Sequence, residues 1–359
     1  MAENEEEIKT IGAYDNSLNT FVGNKDLIEY KKIEGLALSY KDAYVNNDKN
    51  DDNYHVIIFC NGNRVKDVSK DNKTPYGKRD YVSRIKEYFS DKEENVYIVH
   101  ILLDNDAPLE LETEMIAKAI DKMAIREKAK SIQYIGHSKA GVMGWNMPKY
   151  LEEDDSYNKL FMYLTAPPLL GCLIASKPDF LKAVKDKVDS YKAIPKKVRE
   201  KVYEGLVKYY ESKYSNSHMD KDIAPLENEL KEDYDPDFIK NTFSEENLKA
   251  LTKIQYLHDF ITEFDSNALK DLKEERDGNS FGMFLMNFFL MPNDTDGFVE
   301  ILSQIAGHKF LDYNATIIAN GSHYFLASKK GLTTVLDVLY KQMKNVGKDI
   351  DQSPKLRTA

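Results

Sequence analysis

The feature that most constrains this chain is a short apolar run that ends in a glycine-rich corner. The run, Ile132 to Ile135, has the length and composition of a strand buried within a sheet. Gly136-His137-Ser138-Lys139-Ala140-Gly141 follows, and beyond it apolar residues recur at helical spacing: Val142, Met143, Trp145, Met147 and Leu151. The segment predicts a strand, a sharp turn and a helix, with Ser138 at the corner between them.

The same alternation extends on both sides of this corner. Val56–Cys60, Val96–Leu103 and Leu160–Thr165 are continuous apolar runs, which suit strands buried on both faces of a parallel sheet. Tyr81–Phe89 and Glu112–Ala129 carry apolar residues at helical spacing. Strand and helix therefore alternate, and we predict an α/β fold with a mostly parallel central sheet and helices on both faces.

The pattern changes near residue 173. Residues 173–280 are charged and predict helices: Ala183–Tyr191, Val198–Tyr214, Glu246–Phe264 and Ala268–Glu275. Sheet-like runs resume at Gly282–Met291 and Ala315–Ala319, and Lys330–Met343 predicts a last helix. We therefore expect a core of residues 1–172 and 281–359, interrupted by a helical insertion at 173–280.

The corner resembles the nucleophile elbow of lipases and esterases in the α/β-hydrolase superfamily. Gly136 and Ala140 bracket Ser138, and Gly141 follows. The resemblance implies the α/β-hydrolase fold, with the insertion as a cap, and a Ser-His-Asp triad that cleaves carboxylic esters through an acyl-enzyme. The alternative is a glycine-rich turn in which the serine is a bystander.

Seven histidines are candidates for the base that would activate Ser138. In this superfamily the base comes last, after the nucleophile and the acid. His323 follows the last apolar strand and is the preferred candidate, while His308 follows a predicted helix and is the alternative.

Two aspartates in one loop are candidates for the acid that would orient the base. Asp294 and Asp296 follow the apolar run that ends at Met291. Asp296-Gly-Phe-Val resembles the superfamily pattern around the acid, so Asp296 is preferred. Either residue can instead cap a helix that begins near Phe298.

An oxyanion formed at Ser138 needs two backbone N–H donors. The resemblance implies that one comes from Lys139 and the other from the loop that contains Gly62 and Asn63, where Asn61 replaces the histidine of related lipases. The Lys139 side chain is expected to point to solvent. The alternative is that its charge favours an anionic substrate.

Composition and motifs limit the remaining possibilities. A net charge of −10 argues against a nucleic-acid partner, and the longest apolar stretch, Phe281–Met291, is too short to span a bilayer. The acidic N-terminus does not resemble a signal peptide, so we predict a cytoplasmic protein without a transmembrane segment. No metal or cofactor motif occurs, and neither is expected.

The expected partner is a small-molecule or lipid ester, and residues 173–280 offer a possible surface for a protein partner. Two alternative functions stay open. The first is a phospholipase or thioesterase that acts on lipid acyl groups. The second is a non-catalytic binding or signalling module on the same fold.

Overall fold

The structure is a computed structural model, and it describes the following residues: 9–15, 20–23, 29–31, 37–45, 54–60, 81–102, 109–125, 129–171, 177–214, 241–263, 301–319, 323, 325–327, 329–348 and 351–357. Twelve strands occur in this part of the chain: β1 (Lys9–Asp15), β2 (Thr20–Gly23), β3 (Glu29–Lys31), β4 (Ala37–Val45), β5 (His55–Cys60), β6 (Val96–Leu102), β7 (Ser131–His137), β8 (Leu160–Thr165), β9 (Tyr256–Glu263), β10 (Leu311–Asp312), β11 (Asn314–Ala319) and β12 (Lys355–Leu356).

Ten of these strands form one sheet in the order β11-β9-β8-β7-β5-β6-β4-β1-β2-β3. The six strands from β11 to β6 are parallel, whereas β4, β1, β2 and β3 extend the sheet as antiparallel neighbours. Every residue of β5, β7 and β8 is buried, because helices cover both faces of the sheet there. The remaining strands, β10 and β12, pair with each other.

Nine α-helices occur among the described residues: α1 (Tyr81–Phe89), α2 (Leu109–Ile125), α3 (Lys139–Asn146), α4 (Asp154–Lys159), α5 (Lys177–Ser190), α6 (Lys196–Tyr214), α7 (Glu245–Leu251), α8 (Ile301–Gln304) and α9 (Lys329–Met343). The apolar sides of α1 and α9 pack on one face of the sheet, and those of α2, α3 and α7 pack on the other. The predicted α/β class, with a mostly parallel sheet between two helical layers, is confirmed. Within the described ranges, no helix has the length and apolarity needed to cross a membrane.

One predicted element of the insertion is wrong. Residues 246–264 were expected to be helical throughout, but the helix α7 ends at Leu251 and residues 256–263 form β9. This strand lies inside the sheet, between β8 and β11. The polar residues His258 and Asp259 in its middle hide the apolar alternation that would have identified it. The predicted helix at 268–275 and the predicted strand at 282–291 lie outside the described residues, and the helical cap stays a prediction.

Candidate active site

Ser138 occupies a sharp corner between the carboxyl end of β7 and the first turn of α3. Its backbone has φ 54° and ψ −120°, a region that residues other than glycine seldom adopt. Such a conformation costs roughly 1–3 kcal/mol and persists only when the surrounding structure holds it. Here the Ser138 N–H donates to the Thr165 carbonyl at 2.9 Å, and the Ser138 carbonyl accepts from the Gly141 N–H at 2.8 Å.

The small residues around the serine are required because the helix passes close to the strand. A Cβ on Gly136 would lie 2.5 Å from the Ala140 carbonyl oxygen, and one on Gly141 would lie 2.9 Å from the Pro167 side chain. No real Cβ approaches another heavy atom this closely. The glycines seen in the sequence therefore allow the turn that exposes the serine hydroxyl above the sheet.

His323 lies directly opposite Ser138. Its Nε2 atom is 3.0 Å from the Ser138 Oγ, and the residue is 7% exposed. It follows the carboxyl end of β11, and α9 begins six residues later, so the sheet and this helix both position it. With a neutral ring whose proton is on Nδ1, the serine hydroxyl donates to Nε2, which is the arrangement that a general base needs.

The alternative base, His308, has a different neighbour. It lies in a 3₁₀ turn formed by Ala306–Lys309, and its ring stacks on Tyr313 with centroids 3.9 Å apart. Burial lowers the pKa of His308, and the charge of Arg357 lowers it further. Of the two candidate histidines, the structure brings His323 to the serine.

The side chain of Lys139 does not point to solvent, contrary to the sequence-based expectation. Lys139 is 2% exposed, and its Nζ lies 2.9 Å from Oε2 of Glu112, whose side chain is 0% exposed. The ion pair joins α2 to the first turn of α3, directly after Ser138. The Lys139 charge is thus used inside the protein, and an anionic substrate is not needed to account for it.

The backbone of Lys139 lies at the N-terminal end of a helix. It is the first residue of α3, where N–H groups have no partner within the helix and where the helix dipole favours negative charge. Gly62 and Asn63 lie outside the described residues. The strand before them ends at Cys60, which is paired with Gly136, so their loop starts beside the serine corner.

Asp294 and Asp296 also lie outside the described residues. In sequence they fall between β9 and β11, two parallel strands that are neighbours in the sheet. The strand β9 ends at Glu263, at the edge of the sheet where Ser138 and His323 meet.

Sequence reasoning missed two residues that support this corner. Glu112 is one turn before Met115 and Ile116 on the apolar stripe of α2, and a carboxylate in that register is a signal for a buried partner. His137 lies at the end of β7, and its Nε2 is 2.6 Å from the carbonyl oxygen of His323. No sequence signal links these two histidines. Among the described residues, no group of three or more His, Cys, Asp or Glu side chains could hold a metal ion.

Comparison with known proteins gives no family model and no curated protein that matches the chain. Among solved structures, Est1E from Butyrivibrio proteoclasticus aligns at 8% identity over 87% of this chain and 97% of that chain, with a TM-score of 0.39. The Bacillus licheniformis lipase BlEst2 aligns at 13% identity over 80% and 91%, with a TM-score of 0.41. The peroxisomal α/β-hydrolase Lpx1 from Saccharomyces cerevisiae aligns at 10% identity over 95% and 88%, with a TM-score of 0.41.

Similarities at this level do not establish an activity, so the function is argued from the site. The fold itself follows from the strand order and from the corner. The serine strand β7 lies between parallel neighbours, β5 and β8, and the histidine follows the outermost parallel strand, β11. With Ser138 in its left-handed conformation between β7 and α3, the chain has the α/β-hydrolase fold that its sequence resembles.

Proposed function

We propose that the protein is a serine hydrolase that cleaves carboxylic esters through an acyl-enzyme. The observation that carries this proposal is the contact of 3.0 Å between Ser138 Oγ and His323 Nε2 at a strained strand-to-helix corner. A serine hydroxyl is a weak nucleophile until a base takes its proton, and a base at this distance can do so. The strain supports the same reading, because a bystander serine gives no reason to maintain it.

In the acylation step, His323 takes the proton of Ser138 while the serine oxygen attacks the acyl carbonyl. The carbonyl oxygen becomes negatively charged and accepts hydrogen bonds from the backbone N–H groups of Lys139 and of the loop at Gly62 and Asn63. His323 then donates its proton to the leaving alcohol, and the serine keeps the acyl group. Each backbone donor is expected to contribute about 10²–10³ in rate.

In the deacylation step, His323 takes a proton from water, and the water oxygen attacks the acyl-enzyme. The tetrahedral intermediate collapses to the carboxylic acid, and Ser138 regains its proton from His323. Asp296 is proposed to orient His323 through Nδ1 and to stabilise its cation, with Asp294 as the alternative. These steps use protein groups and water, so the proposal requires no cofactor.

The turn after β8 is proposed to form the acyl side of the site. Ala166 begins it with φ 48°, and Leu170 is 38% exposed at its far end. Ser303 fixes this end, since its hydroxyl donates to the Gly171 carbonyl at 2.8 Å and accepts from the Leu170 N–H at 2.9 Å. A rigid, apolar wall of this kind suits the acyl chain of an ester.

Reaction with a fluorophosphonate tests the proposal. The wild-type protein is expected to gain one phosphonyl group on Ser138, detected by mass spectrometry of the intact chain and its peptides. Ser138→Ala should not react, and His323→Ala and Asp296→Asn should react at least about 10²-fold more slowly. Ser131→Ala, at the other end of the same strand, is the matched control and should react at the wild-type rate when folded.

Hydrolysis of p-nitrophenyl esters of increasing chain length, beside matched thioesters, then identifies the acyl group. A comparison of Asp294→Asn with Asp296→Asn decides between the two acids. A folded wild-type protein that neither reacts with the probe nor hydrolyses any ester would overturn the proposal, and the non-catalytic binding module would replace it.

A further inference from the structure

Two consecutive residues of the chain hold His323 at two different atoms. Ser138 Oγ lies 3.0 Å from Nε2 of the His323 ring, while His137 Nε2 lies 2.6 Å from the His323 backbone carbonyl. The two imidazole rings are 4.8 Å apart at their centroids and tilted by 51°. A carbonyl oxygen only accepts hydrogen bonds, so His137 carries its proton on Nε2 and donates it.

This contact connects the proposed base to the strand of the proposed nucleophile. Within the described residues, the ladder between β11 and β9 ends at Ala319, before His323. The bond from His137 fixes that backbone to the end of β7, and Ser138 is the next residue along the same chain. Relative movement of the two reacting atoms is thereby restricted.

The burial of the polar His137 ring argues that it does more than fill space. His137 is 2% exposed and lies on the same side of β7 as Ile135, among the apolar residues beneath α1 and α9. An apolar side chain would fill that space without the cost of burying a polar ring. The polar ring is accounted for by its hydrogen bond to His323.

We propose that His137 is a positioning residue that holds the His323 backbone so that its Nε2 faces Ser138. The inference rests on the proposed hydrolase function. A displacement of about 1 Å between reacting groups can cost about 10²-fold in rate, so losing this bond should lower turnover. Substrate binding should change little, because His137 is buried away from the surface that a substrate can reach.

The test compares side chains that keep or lose the donor. His137→Gln places an amide N–H near the position of Nε2, whereas His137→Leu has a similar size and no donor. We expect the leucine variant to lose about 10–100-fold in kcat with KM within about twofold, and the glutamine variant to recover most of this loss. His137→Asn has a shorter amide that cannot reach the His323 carbonyl. If the leucine variant does not fold, His137→Asn takes its place in the comparison, and the same loss of kcat is expected.

His55→Leu is the matched control. His55 is also buried, at 1% exposure, and its Nδ1 contacts the Ser131 hydroxyl at 2.6 Å, but at the opposite end of the sheet. This variant should lose stability in urea without a change in kcat. A crystal structure of His137→Leu should show a longer distance between His323 Nε2 and Ser138 Oγ.

The outcomes separate the two proposals. If wild-type protein reacts with the fluorophosphonate and His137→Leu turns over ester at the wild-type kcat, the positioning role is wrong and the hydrolase remains. Glutamine and leucine variants with equal kcat would also overturn it. If wild-type protein neither reacts nor hydrolyses esters, the hydrolase function itself fails.

Discussion

Two carboxylates lie buried on the same side of the central sheet, and the protein treats them differently. Glu112 on α2 faces Lys139, the residue directly after Ser138, at 2.9 Å. Asp259 on β9 is 0% exposed, and among the described residues neither of its oxygens has a hydrogen-bond partner. Burial raises the pKa of Asp259 well above its ordinary value, because it disfavours the charged form of the carboxyl group.

The polar side chains near Asp259 and near Glu112 also differ in whether they form hydrogen bonds. Tyr313 lies near Asp259, and its hydroxyl also lacks a hydrogen-bond partner within the described residues. Burial raises the pKa of Tyr313, and the charge of an ionised Asp259 would raise it further. Near Glu112, by contrast, the Tyr134 hydroxyl donates to the Ala140 carbonyl at 2.7 Å and so adds a second tie to the first turn of α3.

The two buried carboxylates therefore differ in what they contribute to the stability of the folded protein. The ion pair of Glu112 and Lys139 joins two helices at the turn that holds Ser138 in its left-handed conformation. Asp259 has no hydrogen-bond partner among the described residues, and the rise in its pKa on burial is expected to cost stability. The comparison predicts large losses when the pair is broken and gains when Asp259 is replaced.

The largest effect is expected from breaking the ion pair. Glu112→Gln leaves the Lys139 ammonium buried without its partner, and Lys139→Met does the same to the Glu112 carboxylate. Each single variant should lose about 3–5 kcal/mol of unfolding free energy in urea. The double variant Glu112→Leu with Lys139→Met leaves no unpaired charge and should recover most of that loss.

The exposed pair of Glu245 and Lys249 on α7 is the matched control. Its atoms are 2.5 Å apart, closer than in the buried pair, but both side chains face solvent. Solvent screens such pairs, so Glu245→Gln should change stability little. If Glu112→Gln loses no more unfolding free energy than Glu245→Gln, burial does not increase the contribution of the Glu112–Lys139 pair to stability.

The contrast also shows what the sequence can and cannot predict here. The strands β5, β6, β7 and β8 are continuous apolar runs, and the corner at Ser138 follows from the glycines around it, so both were predicted. His323 was chosen as the candidate base because it follows a strand. The partner of Lys139 was not, because the ion pair joins two helices that only the tertiary fold brings together.

The prediction of a helix over the residues that form β9 was wrong for a different physical reason. His258 and Asp259 are consecutive residues on opposite faces of this strand, and both are buried. Polar residues in a strand interior resemble the polar face of a helix, and the helix α7 just before them reinforced that interpretation. Tertiary packing decides whether a carboxyl group is buried, and the local sequence pattern does not show this packing.

Replacing Asp259 should produce the next largest effect, with the opposite sign. Above a pH of about 4 the unfolded chain releases the Asp259 proton, while the folded chain, in which burial raises the pKa of Asp259, keeps it to a higher pH; the contribution of Asp259 to stability therefore falls as pH rises. Asp259→Asn removes this penalty and should be more stable than wild type by about 1–3 kcal/mol at pH 7. Urea titrations between pH 4 and pH 8 measure the difference.

The pH dependence is the decisive part of this measurement. The advantage of Asp259→Asn should be smallest near pH 4 and should increase as the pH rises toward the raised pKa. Asp186→Asn, on the exposed side of α5, is the control and should show no such increase. An advantage that is constant from pH 4 to pH 8 would mean that the carboxyl group is not held neutral by burial.

The smallest effect concerns the neighbour of Asp259 on the opposite face. Burial, together with a smaller contribution from the charge of His308, lowers the pKa of His258 from 6.5 to about 4. Its ring lies between the Tyr256 hydroxyl and the Thr316 hydroxyl, each at 2.8 Å. Below pH 6.5 the unfolded chain binds a proton that the folded ring does not, so stability falls as pH decreases from 6.5 to about 4.

His258→Gln removes this acid-sensitive contribution while it keeps a polar side chain. Wild type should lose about 1–2 kcal/mol more than the variant between pH 7 and pH 5, whatever the variant loses at pH 7. Asp259→Asn shifts the pH dependence of stability the other way, by removing a penalty that grows toward high pH. If His258→Gln and wild type lose stability in parallel over this range, His258 binds its proton equally well in the folded and unfolded states, and the contrast between the two faces of β9 does not hold.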